Sequence, residues 1–146
     1  MRSQEQRLRS SEKHDRQMNR LFFNSRDELI CVDINLVAAA LADGNYSKIV
    51  YITKKEITLT HGITKIEEAL KTCNDNHNLF VRLGRSIVIN HAFLQKIDIP
   101  KGILTLGDGK KNEIRISLPK QVLKTYRDAI IKKIKIQGDR KYAREN

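Results

Sequence analysis

Leu79-Phe80-Val81-Arg82-Leu83-Gly84-Arg85-Ser86-Ile87-Val88-Ile89-Asn90 is the stretch on which the fold turns. Two apolar, strand-like runs are interrupted by Arg82, Gly84, Arg85 and Ser86. The runs are apolar and short, so each reads as a strand. Two basic residues beside a glycine, between two such runs, predict a bend that presents charge.

Punctuation on either side extends the pattern. Upstream, Tyr46 to Thr53 (YSKIVYIT) and Glu56 to Thr60 (EITLT) read as strands joined by the polar turn Lys54-Lys55. Asp43-Gly44-Asn45 is a strong turn signal because Gly and Asn tolerate positive φ. Leu36 to Leu41 has the alanine content of a short helix, yet Asn35 and this turn bound it, so two hairpins in series result. Leu29 to Ile34 reads as an earlier strand. Ile63, Ile66, Ala69, Leu70 and Cys73 recur at spacings of three and four, which places them on one helix face, and Glu67 and Lys71 form an i,i+4 pair on the other. Downstream, Phe93 to Ile99 is a strand stopped by Pro100. Ile103 to Leu106 and Glu113 to Leu118 form a hairpin around Gly107-Asp108-Gly109. Pro119 opens an amphipathic helix carrying Val122, Leu123, Tyr126, Ile130 and Ile134, with Lys124, Arg127, Lys132 and Lys133 on its polar face. The expected fold is mainly β, a β-rich α+β arrangement of antiparallel hairpins with two helices.

The 146 residues suit one domain with short tails, long enough to bury a sizeable core without disulfide or metal. The net charge is +11, a field that attracts polyanions. It is uneven: residues 1–26 carry net +4, residues 27–118 net +1 and residues 119–146 net +6. Basic ends often wrap a nucleic-acid backbone without reading its sequence, and are also often plain solvated tails. Residues 1–26 have few apolar side chains and read as a helical or disordered arm, with Leu21, Phe22 and Phe23 anchoring its end. Cys31 and Cys73 make no C-x-x-C pair and sit within apolar patterns, so buried free thiols in a reducing cytoplasm are expected. The polar start is unlike a signal peptide, and the longest apolar run, Leu36 to Ala42, falls far short of the ~20 residues a membrane helix needs.

No catalytic constellation stands out, so an enzyme is not expected. His14, His61, His77 and His91 are isolated and make no zinc pattern. Gly107-Asp108-Gly109 lacks the helix and third glycine of a dinucleotide loop. Ser86 has no G-x-S-x-G context, and Glu67 and Glu68, adjacent on a helix, diverge by about 100° and cannot flank one bond. What remains is cationic side chains on loops: Lys48 past the Asp-Gly-Asn turn, Arg82 and Arg85 about Gly84, and Lys120 at the start of the last helix. Arginine's planar fork meets phosphate or guanine O6/N7 bidentately, although each cation taken alone is better explained by solvation.

Taken together, these residues resemble the LytTR DNA-binding domain family. Phe80-Val81-Arg82-Leu83-Gly84-Arg85-Ser86-Ile87-Val88-Ile89-Asn90 is similar to its signature F-x-R-x-H-R-S-(apolar)-(apolar)-x-N. Gly44-Asn45-Tyr46-Ser47-Lys48 resembles its G-N-Y-x-K hairpin, Ile63 to Leu70 its helix, and Phe93 to Ile97 the strand after the signature. Leu104-Thr105-Leu106 with Asp108-Gly109 resembles its L-x-L-x-D-G turn, and Ser117 the Ser of its closing V-S-R. The resemblance covers roughly residues 27–131. It implies ten strands in three small antiparallel sheets, with loops rather than a recognition helix entering successive major grooves. By resemblance the DNA-contacting residues are Asn45, Ser47, Lys48, Arg82, Arg85, Ser86 and Lys120.

Two departures qualify this. Gly84 replaces the family's His, which is expected to make the bend freer. Leu118-Pro119-Lys120 replaces the Arg after the closing Ser, and Lys120, lacking the fork, is expected to contact phosphate. The resulting organisation is a basic arm over residues 1–26, a DNA-binding domain over 27–131, and a basic helix end and tail over 132–146. About 26 residues before the first strand are too few for a receiver domain, so activity is expected to be set by expression, by another protein, or by nothing. The expected function is a bacterial, cytoplasmic transcription regulator specific for double-stranded DNA, without cofactor or metal, and paired on direct repeats. An RNA- or ribosome-associated protein is the alternative, disfavoured by the absence of an RNP motif, a G-x-x-G loop or a row of aromatics. A membrane-surface module is weaker still, because the last helix has no Trp and spends its apolar face on the core.

Overall fold

A computed structural model describes residues 19–72 and 79–136, with side chains to Ile134. His14, Cys73, His77, the first part of the basic arm and the C-terminal tail lie outside the described residues. The chain forms two compact units, one ending at Phe93 and one beginning at Leu94.

In the first unit, β1 (Arg20–Asn24) and β2 (Leu29–Asp33) form a two-stranded antiparallel sheet with Phe22 opposite Cys31 and Asn24 opposite Leu29. Residues expected at the end of an arm are thus a strand. Alternation accounts for it: Phe23 and Val32 turn inward, while Phe22 and Leu29 remain exposed. Cys31 is a half-buried free thiol.

After a single 3-10 turn, β3 (Val37–Asp43), β4 (Tyr46–Tyr51) and β5 (Glu56–Leu59) form a meander. The helix α1 (Ile63–Thr72) then leads to β6 (Phe80–Leu83) and β7 (Ile87–Asn90). The five strands make one antiparallel sheet in the order β5-β4-β3-β7-β6. Alanines suit β3 because it lies mid-sheet with Val37 to Ala40 all buried, where small side chains permit close packing. Ile66 and Leu70 of α1 pack with Val37, Ala40, Ile49, Tyr51, Leu59, Phe80 and Val88 of the sheet, and Phe23, Val32 and Ile34 complete the cluster. Burying each such Leu, Ile or Phe contributes roughly 1.5–3 kcal/mol.

Two buried polar groups fix this sheet. The Tyr51 hydroxyl accepts from the Asp33 amide at 2.8 Å. Asn90, 2% exposed, donates through Nδ2 to the Val37 carbonyl at 2.8 Å and accepts from the Ala92 amide at 2.9 Å. The closing Asn of the signature stretch is therefore structural.

In the second unit, β8 (Leu94–Asp98), β9 (Ile103–Gly107) and β10 (Glu113–Ser117) form a three-stranded antiparallel sheet in the order β10-β9-β8. Asp108 closes the β9–β10 turn by accepting from the Lys110 and Asn112 amides at 2.8 and 3.2 Å. The second helix, α2 (Lys120–Ile136), lies against β8 with Leu123 and Tyr126 buried. Pro119 sits just before it, and its carbonyl accepts from the Leu123 amide. Among the described residues there are ten strands in three small antiparallel sheets and two α-helices, the β-rich arrangement expected from the sequence.

Candidate nucleic-acid interface

The β3–β4 hairpin closes with Asp43 opposite Tyr46, leaving Gly44 and Asn45 as a two-residue tip. Gly44 takes φ +63, a conformation disfavoured for residues with a Cβ, and Asn45 is exposed beside it. On β4, Ser47, Ile49 and Tyr51 are buried on the helix-covered face, so Tyr46, Lys48 and Val50 face the other way. Lys48 makes a 3.4 Å ion pair with Glu56 from the neighbouring strand, both side chains being substantially solvated. Ser47 is fully buried, and its hydroxyl donates to the His61 carbonyl at 2.7 Å.

The bend in the signature stretch lies at the same end of the sheet. Leu83 pairs with Ile87, so Gly84, Arg85 and Ser86 form a three-residue loop between β6 and β7. The Ala42 amide beside the hairpin tip donates to the Ser86 carbonyl at 2.8 Å, which joins the two loops edge to edge. Gly84 has φ +68. A side chain reaches the bend: Arg82 turns back and its Nη2 donates to the Arg85 carbonyl, while Nη1 bonds Glu67 Oε1 of α1 at 2.8 Å.

Arg82 turns inward because it stands opposite Val88 and two residues from Phe80, on the face α1 covers. Lys71 takes the other Glu67 oxygen at 2.8 Å. Burial by itself would raise the Glu67 carboxyl, but hydrogen bonds from Lys71 and Arg82, with their positive charges, outweigh it and hold the group below the usual carboxylate range.

Of the seven residues singled out from sequence, the structure brings six to this end of the five-stranded sheet, in two states. Asn45, Arg85 and Ser86 are exposed, and their side chains have no hydrogen-bond or ion-pair partner among the described residues; Lys48 is partly exposed. Ser47 and Arg82 are turned into the protein and satisfied there, apart from the Arg82 Nε, which is buried without a partner. Lys120 belongs to the second unit, exposed at the first position of α2. A cation there opposes the helix macrodipole at a cost of about 0.3–1 kcal/mol, so it does not serve helix stability. Lys124 and Arg127 continue the same exposed stripe at i+4 and i+7, with Arg127 paired to Asp128 at 3.0 Å.

Tyr46, 51% exposed beside Asn45, was not singled out from the sequence. The signal was present in the alternation: once Ile49 and Tyr51 face the core, Tyr46 must face outward with Lys48. Among the described residues no group of three or more His, Cys, Asp or Glu side chains could hold a metal ion. No described helix is long and apolar enough to cross a membrane.

No family model and no curated protein matches the sequence. Among solved structures the chain is similar to the LytTr DNA-binding domain of a methyl-accepting/DNA response regulator from Bacillus cereus. The TM-score is 0.52 at 15% identity, and the match covers 77% of this chain and 96% of that one. At that identity the likeness is one of fold: this chain has the fold of a LytTR domain.

Proposed function

We propose that this chain, folded as a LytTR domain, is a sequence-specific regulator of transcription that binds double-stranded DNA through loops. The observation that carries the reading is the exposed guanidinium of Arg85, without a partner among the described residues, on a bend whose Arg85 and Ser86 carbonyls are both hydrogen-bonded. Such a side chain is available to a partner, and a held backbone gives it the defined geometry that reading bases requires.

In this reading Arg85 reads guanine through O6 and N7 in a major groove, and Asn45 offers an amide matched to adenine N6 and N7. Ser86 supplies a hydroxyl beside them. Lys48 and Lys120 contact phosphates, which fix register without reading sequence. Ser47 and Arg82, expected among the contacts, act from inside by shaping the hairpin and the bend. Two copies sit on paired direct repeats, and the protein works in the bacterial cytoplasm. Binding here involves no bond making, so the chain acts without catalysis.

Competition for the bound protein among duplex DNA, structured RNA and anionic vesicles tests the reading. Duplex DNA is expected to compete best, and with a marked preference for some sequences. Equal competition by all three polyanions would leave only non-specific electrostatics.

A further inference from the structure

Glu67 lies on α1, in sequence and along the helix away from either loop tip, yet it is connected to the bend by one side chain. Its Oε2 accepts from Lys71 and its Oε1 from Arg82, each at 2.8 Å. The two cations take separate oxygens of one carboxylate, so the bond from Arg82 to Oε1 does not depend on Lys71. Arg82 spends its second terminal nitrogen on the Arg85 carbonyl. The next carbonyl, that of Ser86, accepts from the Ala42 amide of β3. Two successive carbonyls are thereby held, one from α1 through Arg82 and one from β3, while the Arg85 side chain just before them has no partner among the described residues.

Arginine suits position 82 in this wiring. Its planar fork serves a carboxylate and a carbonyl in different directions from one rigid group, whereas a lysine restores the charge and loses the fork. The arrangement also carries a local cost, the buried Arg82 Nε without a partner, which core packing alone would not favour. A bend with a glycine at φ +68 has more alternative conformations than one built of β-branched residues, so an external hold on it matters.

We propose that Glu67, acting through Arg82, is a positioning residue that sets the Gly84–Ser86 bend and thereby the base selectivity of Arg85. The selectivity half rests on the DNA-binding reading above; the bend half does not. Contacts that read bases need their geometry held within a fraction of an ångström, whereas phosphate attraction tolerates displacement.

The test uses the full chain and the substitution Glu67→Gln, with Lys71→Met as a control that removes a charge from the same carboxylate without touching the bend. Hydrogen exchange at the Ala42 amide, which bonds the Ser86 carbonyl, reports the bend in the free protein. Affinities for a duplex selected by the wild-type protein and for a random duplex report selectivity. Glu67→Gln is expected to speed exchange at Ala42 and to lower the selected-to-random ratio about tenfold, the scale of one bidentate base contact. Because it removes a negative charge, its random-duplex affinity should hold or rise, a direction that loss of folding cannot produce. Lys71→Met should weaken both duplexes alike and leave the ratio unchanged.

Unchanged exchange at Ala42 overturns the proposal. So does faster exchange with an unchanged ratio, or an equal loss on both duplexes, which would make Glu67 merely structural. Failure of the underlying DNA reading is seen separately, in a wild-type protein that prefers no duplex. The selectivity claim then falls, and the exchange result still decides the bend.

Discussion

Two arginines three residues apart are expected to fail in opposite ways when shortened. Arg85 is exposed with no partner among the described residues, so Arg85→Ala should change stability by no more than about 0.5 kcal/mol. Arg82 donates to Glu67 and to the Arg85 carbonyl from a side chain only 25% exposed. Arg82→Ala breaks both bonds and leaves the Glu67 carboxylate with Lys71 alone, a loss of about 2–4 kcal/mol for bonds involving charged groups. At this chain length that lowers the melting temperature by about 5–15 °C. On DNA the order reverses. Arg85→Ala should cost about 1–3 kcal/mol on the selected duplex, a five- to 150-fold weaker Kd, and clearly less on a random one. Arg85→Lys should recover only part, since it restores charge and not the fork. Calorimetric melting with fluorescence anisotropy at one fixed salt concentration separates the two effects. The reasoning is refuted if Arg85→Ala melts several degrees low and loses binding only in proportion to unfolding, which would make Arg85 structural.

Other consequences are more local. Lys48→Ala and Lys120→Ala should each weaken all duplexes about equally and reduce the log-log salt slope by about 0.9, measured by titration across salt concentrations. Asn90→Ala strips two buried hydrogen bonds and should destabilise by about 2–3 kcal/mol in urea unfolding, with no effect on duplex preference once folded. Lys54 holds φ +79 in the β4–β5 turn, so Lys54→Gly should stabilise by about 0.5–1 kcal/mol. The Glu67 carboxyl titrates lower in the folded protein than its ordinary value of 4.5. Its stabilisation is therefore fully present above pH 4.5 and is lost as pH falls through the lower folded value. Urea midpoints between pH 7 and pH 3 should fall less steeply for Glu67→Gln than for the wild type.

The strands flanking Gly84 were legible because periodicity and punctuation agreed there, as they did at Asp43-Gly44-Asn45 and Gly107-Asp108-Gly109. Arg20 to Asn24 was not, since it continues a polar, basic segment and becomes a strand only by pairing with β2. Loop placement of Asn45 and Arg85 was also legible. The inward turn of Ser47 and Arg82 was available in principle, from their spacing to Ile49 and Phe80 on strands of known pitch. Their polar character concealed it, because a serine and an arginine near a loop read as surface until a partner is known. That partner, Glu67, lies 15 residues before Arg82 on another element, a distance no local pattern spans. The hydrogen bonds to the Arg85 and Ser86 carbonyls, from Arg82 and from Ala42, were likewise not legible beside Gly84.

Selection of bound duplexes from a random pool tests the central claim most directly. The account predicts convergence on one short motif in direct repeat, containing a guanine whose replacement costs the wild-type protein affinity but leaves Arg85→Ala indifferent. Recovery of unrelated sequences bound equally well, with affinity governed by salt alone, would contradict it.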